Sequence, residues 1–107
     1  MDDKIVRHVL IGKFSPEMTS EKFAEFLAAF RELTTKIEGI ISFEYGENNS
    51  PEGLNQGMTH VIILTFIDAA ARNAYLIHPE HVRFAKWFGG LGIMEALLVV
   101  DYTPQSK

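Results

Sequence analysis

Apolar residues recur along this chain with two periods. Ile5 to Phe14 (IVRHVLIGKF) is a strand-like run closed by Ser15-Pro16, because proline cannot donate to a sheet ladder. Phe23, Phe26, Leu27, Phe30, Leu33 and Ile37 then follow at three- and four-residue steps. That spacing makes one apolar stripe of a helix, with Thr19 as its N-cap, Glu21 in its first turn, and Gly39 as its stop. Ile40 to Glu47 alternates in part, with Ile41, Phe43 and Tyr45 on one face, and reads as a half-exposed strand. Asn48 to Gly57 is a loop rich in turn formers. Met58 to Ile67 is the strongest strand. Asp68 caps a short helix from Ala69 to about Ile77, and Pro79 opens another that ends near Gly89-Gly90. Met94 to Tyr102 is the last strand.

The order is β-α-β-β-α-β with the second helix split in two. This predicts an α+β, ferredoxin-like protomer: an antiparallel-rich four-stranded sheet with its helices on one face. The first and third strands are expected side by side and parallel at the centre. Residues 1–107 form a single domain, the size at which one core usually suffices. No internal repeat or low-complexity tract interrupts it.

Three of the four strands are apolar on both faces. His8, Leu10 and Phe14 oppose Val9 and Ile11; Ile62, Leu64 and Phe66 oppose Val61 and Ile63; Leu98 and Val100 oppose Leu97 and Val99. Helices can cover only one set. The other would expose roughly 400–600 Å² of contiguous apolar surface, more than soluble monomers usually tolerate. At about 25 cal/mol per Å², hiding it on two protomers gains on the order of 20 kcal/mol before association costs. A homodimer with two sheets face to face, a dimeric α/β barrel, is the expected assembly.

Composition narrows the function classes. The chain is 47% hydrophobic with a net charge of −4, which excludes disorder. Its ten Lys and Arg are scattered among fourteen Asp and Glu, which argues against nucleic acid. No run is long enough for a transmembrane helix, and zero cysteine excludes a disulfide scaffold or a cysteine-based zinc site. Met1-Asp2-Asp3-Lys4 lacks the basic-then-apolar order of a signal peptide, so a cytoplasmic location is expected. There is no P-loop, dinucleotide fingerprint or nucleophile elbow.

The candidate chemistry lies in histidines and a tyrosine. His8 and His60 take similar offsets in strands expected to be neighbours, on the faces of Leu10 and Ile62 respectively. Tyr75 and His81 bracket the break between the two short helices. His81 falls in the first turn after Pro79, where the helix dipole lowers a histidine pKa, and a neutral imidazole near pH 7 suits a general base. Singly, each has a plainer role: core packing for the strand histidines and for Tyr75, a helix cap for His78. Their convergence from three elements is what points to a site. No carboxylate accompanies the cluster and the spacing fits no zinc motif, so no metal is expected. Leu27, Phe30 and Ile62 are expected as pocket wall and substrate contacts.

Arg7-His8, Asn49-Ser50-Pro51-Glu52-Gly53, Gly57-Met58-Thr59-His60, Tyr75, His78-Pro79-Glu80-His81 with Val82 and Phe84, and Asp101-Tyr102 together resemble the stress-responsive dimeric α/β-barrel (Dabb) family over nearly the whole chain. The HPxH run is the most specific part. The sequence is also similar to the plant polyketide cyclases of the olivetolic acid cyclase type within that family. The resemblance implies a homodimer and an intramolecular aldol condensation of a poly-β-keto thioester without a metal or organic cofactor. It implies a general base at His81, a tyrosine near the reacting oxygen at Tyr75, and cavity histidines at His8 and His60. One position departs: the cyclases carry a tyrosine where this chain has Phe30, which removes a polar contact. The expected function is therefore cofactor-free acid–base chemistry, aldol or enolisation, cyclase- or lyase-like, on a small carbonyl compound. Two other classes share the same features: a non-catalytic ligand-binding or stress-response protein, and a cofactor-independent monooxygenase.

Overall fold

The structure is a computed structural model and describes residues 4–105. The acidic lead-in Met1-Asp2-Asp3 and the last two residues of the polar tail lie outside the described residues. The elements run β1 (Val6–Phe14), α1 (Ser20–Thr35), β2 (Ile40–Glu47), β3 (His60–Phe66), α2 (Ala69–Ile77), α3 (Pro79–Gly90) and β4 (Met94–Tyr102). This is the ferredoxin-like βαββαβ arrangement, with the second helical segment in two pieces.

Local chemistry accounts for the boundaries. The Thr19 hydroxyl accepts from the Lys22 amide, and the Asp68 carboxylate accepts from the Ala71 amide at 2.8 Å. Both are N-caps satisfying an amide that the helix itself leaves unpaired. Between α2 and α3, Pro79 forces His78 out of the helical region, to φ −65° and ψ 134°. The His78 ring then caps α3 by accepting from the Glu80 amide at 3.1 Å.

The four strands lie in the order β2-β3-β1-β4, and every neighbouring pair is antiparallel. The expectation of parallel central strands is therefore corrected. The crossover through α1 makes β1 and β2 point the same way. The strand β3 returns from β2 as a hairpin and inserts between them, so it runs against both. A second correction concerns β2. Its register shifts between Ile40 and Ser42, opposite Phe66 and Thr65. The extra residue, Ile41, is exposed, and Ile40 joins Phe43 and Tyr45 on the helix-facing side.

The core lies between the sheet and the helices. Phe26, Phe30 and Leu33 of α1 meet Ile62, Leu64 and Phe66 of β3 and Tyr75 of α2. On the opposite face, Leu98 and Val100 stand 51% and 52% exposed. They share that face with half-buried Val9, Ile11, Val61 and Ile63. Among the described residues no helix is long and apolar enough to cross a membrane.

Candidate active site

A cavity of about 430 Å³ opens between the sheet and α1 and α3. That volume suits a small organic ligand. His8, His60, Tyr75 and His81 all line it, as do Phe30 and Ile62. Leu27 does not. At 3.6 residues per turn it is rotated about 100° from Phe26, and it packs in the core instead of on the cavity wall.

His81 is held by an accident of helix ends that the sequence encodes. The Leu76 carbonyl would ordinarily accept from the amide four residues on, that of Glu80. That amide is occupied by the His78 ring. The His81 ring fills the vacancy, its Nδ1 donating to Leu76 O at 3.2 Å. A carbonyl can only accept, so the proton sits on Nδ1 and Nε2 keeps its lone pair. Among the described residues Nε2 has no hydrogen-bond partner. Burial above all, and then the nearby imidazoles of His8 and His78, hold the His81 pKa below the ordinary histidine value; the bond to Leu76 opposes them. The direction agrees with the expectation, but burial is the largest cause, not the helix dipole.

Tyr75 is 1% exposed, and its ring centroid lies 4.2 Å from that of His81. Its hydroxyl makes no hydrogen bond among the described residues, yet it is not among the sealed, unpartnered polar atoms, so it opens onto the cavity. Burial pushes the phenol pKa up, so the group stays a donor.

His8 is 5% exposed, and its ring lies 5.9 Å from that of Tyr75. Its Nδ1 donates to the Asp101 carboxylate at 2.8 Å, and the other carboxylate oxygen accepts from Arg72 Nη1 at 2.6 Å. This leaves His8 Nε2 for the cavity. The expectation that no carboxylate accompanies the histidines is thus corrected. Asp101 was missed because the contact joins residues 93 apart and depends on the pairing of β4 with β1, where His8 faces Asp101. The signal was present: Leu97, Val99 and Asp101 alternate onto one face of β4, and Asp101 is the charged one.

His60 belongs to the other end. In the antiparallel register it faces Gly12, four residues from His8 along β1. At ~3.3 Å per residue that is about 13 Å. Its Nδ1 pairs with the Thr59 hydroxyl at 2.8 Å, and its ring packs on Phe14 and Phe23 at 4.9 Å. Among the described residues no three His, Cys, Asp or Glu side chains come together as a metal site. Chemically, the inner end offers one imidazole able to take a proton, one phenol able to donate a hydrogen bond, and a second imidazole fixed by a carboxylate.

The profile of the family described as Stress responsive A/B Barrel Domain matches residues 6–104. The chain is 39% identical over 101 residues to the stress-response A/B barrel domain-containing protein HS1 of Arabidopsis thaliana, covering 94% of this chain and 91% of that protein. It is 30% identical over 100 residues to olivetolic acid cyclase of Cannabis sativa, covering 94% and 97%. Among solved structures, At3g17210 of Arabidopsis thaliana matches with a TM-score of 0.88 at 38% identity, over 95% of this chain and 97% of that one. A dimeric ferredoxin-like protein of unknown function from Jannaschia sp. CCS1 matches at 0.76 and 25% identity, over 92% and 97%.

Proposed function

The chain belongs to the stress-responsive A/B barrel domain family, and on that footing we propose that it is a cytoplasmic homodimer catalysing acid–base chemistry on a small carbonyl compound. One observation carries the reading: the lone pair of His81 Nε2 and the Tyr75 hydroxyl, both without a partner among the described residues, belong to adjacent rings on one apolar cavity. His81 Nε2 takes the proton from the carbon next to a carbonyl, giving an imidazolium and an enolate. The Tyr75 hydroxyl donates to the enolate oxygen, in a setting where little water competes. The enolate carbon attacks a second carbonyl of the same molecule, and the new alkoxide takes back the proton from His81. His8, held by Asp101, orients the substrate. The similarity to olivetolic acid cyclase favours this ring closure; Phe30 in the wall marks a less polar pocket than a tyrosine there would give.

The homodimer rests on the unpartnered apolar face carrying Leu98 and Val100 and on the dimeric relative. The chemical reading is tested with short β-diketones and β-keto thioesters on the wild type, His81→Ala and Tyr75→Phe. Acid–base assistance of this kind is worth about 10²–10⁴-fold, and losses of that order are expected. Equal rates in all three proteins would remove the catalytic role. Binding without any turnover in the wild type, read by thermal shift, would favour the ligand-binding alternative.

A further inference from the structure

The antiparallel register has a consequence for what fits the cavity. His8 and His60 do not crowd one end; they stand about 13 Å apart along the sheet, by four residues at ~3.3 Å each. Between them the wall is aromatic and aliphatic, with Phe26, Phe30 and Phe88 of the helices facing Leu10 and Ile62 of the strands. Among the described residues no Lys, Arg, Asp or Glu lines this cavity. A charged ligand group would lose its water there without meeting a permanently charged side chain, which is costly.

We propose that the cavity selects an uncharged, elongated ligand with its reactive carbonyl between Tyr75 and His81 and a hydroxyl at its far end paired with His60. The inference rests on the reading of the inner end as the carbonyl site. His60 fits such a reader. Its Nδ1 is already tied to Thr59, which fixes the ring, and its Nε2 has no partner among the described residues. A hydroxyl both donates and accepts, so it pairs with Nε2 in either tautomer. A methyl group would leave that nitrogen unpaired, and a carboxylate would meet no Lys or Arg on the wall.

The test is calorimetric binding of a homologous series of 1,3-diketones carrying an alkyl chain that ends in hydroxyl, methyl or carboxylate. At the length that spans the two ends, the hydroxyl compound is expected to bind the wild type about three- to tenfold tighter than its methyl counterpart, the yield of one neutral hydrogen bond. The carboxylate should bind at least tenfold weaker than either. His60→Leu should erase the hydroxyl preference while keeping affinity for the methyl compound, which also reports that the variant is folded. His60→Gln, which retains a hydrogen-bonding group, should keep part of the preference. A preference that persists in His60→Leu, one that is independent of chain length, or tightest binding by the carboxylate overturns the proposal. Repeating the series in His81→Ala separates the two readings. Lost turnover with an intact length and hydroxyl preference supports both; undiminished turnover with the preference intact sinks the catalytic reading alone.

Discussion

Asp101→Asn removes a charge and one acceptor while keeping the shape of the side chain. In the native protein one carboxylate oxygen accepts from His8 Nδ1 at 2.8 Å and the other from Arg72 Nη1 at 2.6 Å. An asparagine has one oxygen for two donors. The guanidinium cannot give up its protons, so the amide oxygen turns to Arg72 and the NH₂ turns to His8. His8 Nδ1 must then accept, and its proton moves to Nε2, the nitrogen on the cavity. Each charge-assisted bond becomes a weaker one, at about 1 kcal/mol apiece. Asp101 and Arg72 each keep about a fifth of their exposure, so water recovers part of this. The net loss is about 1–2 kcal/mol, or roughly 4–16 °C in midpoint for a domain of this size. If His8 orients the substrate as proposed, turnover should fall as well. The assay pairs thermal unfolding by circular dichroism with nitrogen NMR of labelled histidine, which reports the tautomer directly. A native tautomer and an unmoved midpoint in Asp101→Asn would show that the carboxylate neither sets the ring nor supports the fold. The Arg72→Gln change should add only in part to Asp101→Asn, because the two share one contact.

Two further outcomes follow from the same geometry. The folded-state pKa of His81 lies below its ordinary value of 6.5, so on acidification the unfolded chain takes that proton first. His81 therefore contributes stability that is present above about pH 6.5 and drains as pH falls through the folded value; denaturant titrations across pH should show a shallower acid slope in His81→Gln, and the acid limb of the wild-type rate profile should lie below pH 6.5. Leu98→Glu places a charge on the outer sheet face, midway along the edge strand β4, where Leu98 is half exposed opposite Ile11. Light scattering should show a dimeric wild type and a monomeric variant, and a variant that stays dimeric would mean the sheets do not pair through this face.

The elements were legible because their signals are local. Thr19 and Asp68 each mark a helix start through a contact within three residues and Pro79 marks one by its fixed backbone angle, and each stands where the sequence puts it. What depends on pairing was harder to read. The relative direction of β1 and β3 is a property of the whole βαββαβ path, and reading it as parallel placed His8 and His60 at one end of the pocket. The bulge at Ile41 has no signature in a run of Ile-Ile-Ser-Phe, so strict alternation turned Ile40 to the wrong face. In α1, Leu27 sits in the same stripe as Phe26 and Phe30, and only the position of the cavity tells wall from core. Asp101 required a register between chain ends.

The two halves of the candidate site differ in when they can exist during synthesis. Tyr75 and His81 are six positions apart and meet across a helix break, so that contact is local in sequence and spans no other element. The clasp on His8 waits for β4, the last element made, which also supplies Leu97 and Val99 to the cavity wall. Under the proposed chemistry, a chain that still lacks β4 has no enclosed place for His81 to act, so reactivity is expected only once the final strand has been delivered.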